Sequence, residues 1–195
     1  MFALVLATTV STVNAQTTFF TENMGTATAT TEIAANTFQN AAPVTFSGTA
    51  DVRASSASSG YAGASAGANV MVNANNETFL ISGVDTSEYE SITLSLGQRK
   101  GASAANNELK IEVSEDGATW TLLSYTRPTG SGTANWAVIS PTGTIPTTET
   151  LSIRFTGTNA TEWRIDDVKL AGTLIVLGTG NTNATKANLV KNTIV

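Results

Sequence analysis

The strongest constraint in this sequence is a period of two. Ile92, Leu94 and Leu96 fall on one side of an extended chain, and Thr93 and Ser95 fall on the other. Leu109, Ile111 and Val113 alternate in the same way with Lys110, Glu112 and Ser114, as do Leu151, Ile153 and Phe155 with Ser152, Arg154 and Thr156. Alternation of this kind gives each strand one apolar and one polar face, which marks antiparallel sheets packed face to face rather than a parallel sheet between helices. Further strands are expected at 19–22, 70–73, 78–81, 119–124, 135–139 and 163–170. No amphipathic helix intervenes to make βαβ crossovers. An all-β, antiparallel jelly-roll sandwich of about eight to ten strands fits the spacing. The 195 residues, 41% of them hydrophobic, suffice for one core.

Composition narrows the chemistry. The chain has no cysteine and no histidine. That removes disulfides, thiolate nucleophiles, the usual zinc ligands and every Ser-His-Asp or Cys-His arrangement. A net charge of −5 gives no long-range attraction for phosphate backbones or anionic lipid. Nucleic acid is therefore not an expected partner. No glycine pattern follows a strand and opens a helix, so no nucleotide fingerprint exists.

Residues 109–123, LKIEVSEDGATWTLL, read as a hairpin turning at Asp116 and Gly117. Trp120 follows the turn and serves either hairpin packing or sugar stacking. With Tyr61, Tyr89, Tyr125 and Trp136 it forms the pool of aromatics from which a sugar site would draw. Residues 47–69, SGTADVRASSASSGYAGASAGAN, are small and Gly-rich, with Tyr61 as the only aromatic anchor. They are expected to form a long loop capping the sandwich, as a binding element or as tightly packed cover.

Residues 163–170, WRIDDVKL, contain a conflict of parity. Trp163 and Ile165 share one face by period-two counting, while Val168 and Leu170 share the other. A β-bulge at Asp166 and Asp167 resolves it, turning both apolar pairs to the core and leaving adjacent carboxylates at a kink. Such carboxylates need compensation from a cation, an arginine or backbone N–H groups. Pairing with Arg53, Arg154 or Arg164 is one solution and a bound metal is another.

This stretch resembles the terminal strand of galactose-binding-like jelly rolls, including carbohydrate-binding modules and related adhesion domains. The resemblance implies a Ca²⁺ ion held between that strand and an acidic residue near the first strand. Glu22, in FFTENMGT, is the matching position, so Glu22, Asp166 and Asp167 are the candidate metal ligands. Together with VTFSGTADVR and SSGYAGASAG, the pattern over about residues 17–173 is similar to β-sandwich domains of secreted Bacteroidetes proteins.

The two ends read as addresses. Residues 1–15, MFALVLATTVSTVNA, resemble a secretory signal peptide with Val13 and Ala15 at the positions read before cleavage. The first basic residue is Arg53, so the leader is expected to be incomplete. Its apolar run is too short for a membrane span. After a sandwich over 16–173, residues 174–195 read as a polar linker and a fresh alternation ending in LVKNTIV. That ending resembles the opening of the C-terminal sorting domain used in type IX secretion, which implies the type IX machinery as a partner and a secreted or outer-membrane-surface location.

The expected function is a non-catalytic binding or adhesion module, directed at a glycan or polysaccharide. Two readings stand beside it: an N-terminal accessory domain of a larger secreted hydrolase, and a structural surface or matrix protein.

Overall fold

The computed structural model describes residues 15–128 and 133–175. Apart from residues 15, 174 and 175, the leader-like segment 1–15 and the sorting-like segment 174–195 lie outside the described residues. The strands are β1 (Thr17–Glu22), β2 (Thr31–Glu32), β3 (Thr45–Gly48), β4 (Asp51–Arg53), β5 (Asn69–Val72), β6 (Thr78–Val84), β7 (Tyr89–Lys100), β8 (Lys110–Ser114), β9 (Thr121–Leu123), β10 (Trp136–Ile139), β11 (Leu151–Thr156) and β12 (Trp163–Leu174). One 3-10 turn, Ile33–Ala35, is the only helical piece among the described residues.

The strands form two sheets of a jelly-roll sandwich, and each pairing is antiparallel. The larger sheet runs β10-β7-β12-β5-β4-β2, with β1 also against β12. The smaller runs β3-β6-β11-β8-β9. The alternating positions meet between the sheets as expected: Leu94, Leu96, Trp163 and Ile165 from one layer, Ile111, Val113, Ile153 and Phe155 from the other, all buried. Phe38, Phe46, Phe79 and Phe155 continue as a stacked row, with centroids 3.9 Å apart for the first pair and 5.8 Å for the last. Burial of such aromatics dominates the stabilisation of a core of this size.

The strand count exceeds the expectation because β2, β3 and β4 are two to four residues long and polar in part. The expected loop 47–69 is accordingly interrupted: Asp51–Arg53 pairs with β5, and the irregular stretch begins at Ala54. Strand β7 runs four residues past Leu96, since Gln98 and Lys100 turn their polar side chains inward. The hairpin of β8 and β9 turns at Gly117, whose φ of +70° is the left-handed conformation glycine tolerates. Ser114 and Asp116 close that turn by accepting backbone N–H groups.

The parity conflict in β12 is solved by a bulge. Asp166 pairs with Gly97 and Lys169 with Ser95, so three steps on β12 match two on β7. Asp167, at φ +49°, is the extra residue. On the other side, β12 changes neighbour at this place: Trp163 to Ile165 pair with β5, and Val168 to Gly172 pair with β1. Trp163, Ile165, Val168 and Leu170 all reach the core. Deleting Asp167 would remove the parity conflict itself, since Val168 and Leu170 then alternate in step with Trp163 and Ile165. The deletion variant is therefore expected to keep a cooperative urea transition, whereas Asp167→Val, which keeps the extra residue but puts a β-branched side chain at positive φ, should lower the midpoint. A deletion variant without a cooperative transition would contradict this account.

Candidate functional site

The three sequence-derived acids all lie near the place where β12 changes neighbour, but they face different segments and form no single cluster. Glu22 is the last residue of β1 and lies opposite Val168. Its side chain is fully buried, and both oxygens are taken by N–H donors. Oε1 accepts from the backbone of Met24 at 2.8 Å and of Gln39 at 3.0 Å; Oε2 accepts from the backbone of Asn40 at 3.0 Å and from its side-chain amide at 2.8 Å. One carboxylate thus pins the 23–40 segment to the end of β1.

Asp166 and Asp167 face the loop that begins at Ala54. That loop crosses the outer face of the larger sheet, so this face is covered where alternation alone anticipates water. Asp166 is fully buried; it accepts the Asp167 N–H at 2.7 Å and the Ser65 hydroxyl at 3.0 Å. Asp167 accepts the Tyr61 hydroxyl at 2.5 Å and the Ser65 N–H at 3.1 Å. Burial pushes the Asp166 carboxyl up to about 7, and the neighbouring Asp167 charge acts in the same direction. Burial, then the bond to Asp167, pushes the Tyr61 phenol far above its ordinary range. Gly97 makes the approach possible, since a Cβ there would collide with the Tyr61 hydroxyl. At the start of the loop, Ser55 O accepts from Arg164 and Asn69, and Ser56 O accepts from Trp136 Nε1.

The arginine solution is therefore not the one adopted. Arg53 pairs with Asp51, Arg154 with Glu112, and Arg164 with Glu162. Hydroxyls and backbone N–H groups compensate Asp166 and Asp167 instead. The donor set does not fit Ca²⁺ either. Among the described residues no group of three or more acidic, His or Cys side chains is placed to hold a metal ion. Glu22 also directs both oxygens at N–H donors, where a hard cation would need free oxygen.

Beside these acids lies an open groove of about 340 Å³. Its floor is Ser95 and Gly97 of β7 with Lys169 of β12; Thr21, Asn23 and Gln39 form one wall, Tyr61 to Gly63 another, and Val138 of the edge strand β10 closes it. Glu22 and Asp167 both border it. Lys169 was legible in principle, because counting outward from a bulge with Val168 inside puts it on the open face. Gln39 and Ser95 carry no motif and were not anticipated.

The aromatic pool divides. Tyr125 is buried in the core and leaves it. Tyr89 stacks on Phe19 at 4.0 Å, and Trp136 is tied to the loop. Trp120 lies outside the core over the Arg154 guanidinium at 3.9 Å, and that guanidinium also grips Glu112 at 3.0 and 2.8 Å.

No protein-family model and no curated protein matches the chain. Among solved structures it is similar to the CBM22-1 xylan-binding domain of Paenibacillus barcinonensis Xyn10C, at 14% identity and a TM-score of 0.46 over 84% of this chain and 99% of that one. It is similar to TmCBM61, solved with β-1,4-galactotriose, at 15% identity and a TM-score of 0.40 over 66% of this chain and 88% of that one. A third likeness is to a glycoside hydrolase family 43 arabinoxylan arabinofuranohydrolase from Bacillus subtilis, at 18% identity and a TM-score of 0.45, over 72% of this chain and 29% of that one. These are likenesses of fold.

Two measurements check the site. Because the Asp166 carboxyl is raised, the folded protein keeps its proton between the ordinary 3.8 and about 7 while the unfolded chain has released it. Stability from this group is therefore lost as pH rises through that window. The wild-type melting temperature should fall from pH 4 to pH 8 more steeply than that of Asp166→Asn; parallel curves would refute the assignment. Adding a calcium chelator is expected to leave the melting temperature unchanged, since a specifically bound ion would stabilise the native state by mass action.

Proposed function

We propose that the chain is a non-catalytic glycan-binding module of a secreted or surface-displayed protein. The groove on the outer face of the larger sheet carries this reading. Sugars present rows of hydroxyls, each both donor and acceptor, beside apolar C–H faces. The groove offers amides from Asn23 and Gln39, hydroxyls from Thr21 and Ser95, an ammonium from Lys169 and apolar contact from Val138. Its volume suits a unit of one or two rings, at the small end of ligand pockets, which hold roughly 300–1,000 Å³.

The acids beside it support binding rather than turnover. Glycoside hydrolysis needs two carboxyls flanking the scissile bond, about 5 Å or more apart, with different protonation states. Asp166 lies beneath the loop and Glu22 is saturated with N–H donors, so neither faces the groove as a free acid or base. Asp167 is left as a lone carboxylate already holding Tyr61. The leader-like residues 1–15 and the LVKNTIV ending support export, with the type IX machinery as the route.

The test is retention on a panel of neutral and acidic polysaccharides, by affinity electrophoresis and glycan array. Val138→Asp and Lys169→Ala alter exposed groove positions and should keep the wild-type melting temperature. Each is expected to weaken binding by at least about tenfold, the equivalent of ~1.4 kcal/mol. A folded wild type that binds nothing, or variants that bind as well as wild type, would overturn the reading.

A further inference from the structure

Two walls of the groove meet in a corner. The first is the loop after β4, which is tied down from the edge strand β10 to the segment beyond β1. At β10, Ser56 O accepts from Trp136 Nε1 at 3.0 Å. Over β12, Tyr61 and Ser65 hold Asp167 and Asp166. Beyond β1, Gly67 packs so closely that a Cβ there would stand 3.2 Å from the Gly25 carbonyl oxygen. The Tyr61 hydroxyl occupies the space a Gly97 side chain would need, so no sugar ring passes between this loop and the sheet.

The second wall is the 23–40 segment. Gln39 Nε2 donates to the outward Thr21 hydroxyl at 3.3 Å, so the Gln39 side chain rises over the outer face at β1. Glu22 holds the segment there by accepting from the backbone of Gln39 and Asn40. Away from the corner the floor runs on. Thr21, Lys169 and Ser95 form one cross-strand row, and Thr18, Ala171 and Thr93 form the next row on the same face. Thr18, Thr93 and Lys169 are exposed. The Ser91 carbonyl, which accepts from Gln16 Nε2, lies about 13 Å farther along β7 than Ser95 at the usual strand rise.

A linear glycan resting on this floor has two straight courses. Along the strands it runs into the loop, and across them it runs into the 23–40 segment. An internal stretch of chain therefore cannot lie flat here, whereas a chain end can. We propose that the groove takes the terminal one or two residues of a glycan chain, the remainder leaving over Lys169 and Ala171 toward the far end of β12. This inference rests on the glycan reading of the same groove and adds its ligand class, chain ends in place of internal segments. The donors and acceptors of Asn23 and Gln39 stand in the corner, while the open floor beyond Lys169 offers only a methyl group and the hydroxyls of Thr18 and Thr93. Sugars past the first two should add little to affinity.

The test counts binding sites on a fixed mass of linear xylan, galactan, mixed-linkage glucan and polygalacturonate, each intact and after partial hydrolysis. For whichever polymer is retained, doubling the chain ends at constant mass should double the protein bound at saturation. An oligosaccharide of three units cut from that polymer should compete as well as one of six, within about twofold. Saturation that stays level or falls on hydrolysis, or affinity that climbs steadily up to six units, would overturn the chain-end inference and leave the glycan reading standing. A folded protein that binds none of the polymers, intact or cut, would overturn both.

Discussion

Everything in the larger sheet hangs on the hydrogen bonding of β12. On one edge it pairs with β7 along nearly its whole length; on the other it serves β5 with its first half and β1 with its second. Trp163 and Ile165 can stay inside together with Val168 and Leu170 only if the strand gains a residue between the two pairs, and it does so where it hands over from β5 to β1. The bulge at Asp167 is that residue. It fixes the position of β1, and through Glu22 it fixes the 23–40 segment that lies against it.

The cover over the kink explains a composition that otherwise looks featureless. The loop after β4 must lie flat on a sheet, present hydroxyls and N–H groups to two carboxylates, and admit one phenol. Serine, glycine and alanine satisfy the first two demands, because they bring backbone close to backbone. Tyr61 satisfies the third only because Gly97 has no side chain. The buried Asp166 held by Ser65 is a polar network in low dielectric, which specifies one docking of the loop at some expense in stability at neutral pH.

The sequence made the sandwich legible through particular residues. Ile92, Leu94 and Leu96, and likewise Leu151, Ile153 and Phe155, alternate so cleanly that face assignment needed nothing else. The bulge was legible for the same reason, since Trp163, Ile165, Val168 and Leu170 cannot share a face otherwise. What stayed hidden depends on contacts remote in sequence. Tyr61 and Ser65 meet Asp167 and Asp166 across more than a hundred residues, and no local pattern announces that. The inward turn of Gln98 and Lys100 was masked because polar residues past Leu96 look like the end of a strand, and the short β2 and β4 lack enough residues to show a period.

The order of the strands has a consequence for biogenesis. The strand at the centre of the larger layer is the last of the twelve to leave the ribosome, and before it arrives β1, β5 and β7 have no common partner. Closure must wait for long-range pairing, which is entropically slow. A nascent chain of this design lacks the shared partner of β1, β5 and β7 until Leu174 has been added, so the larger layer closes only after that point in its synthesis.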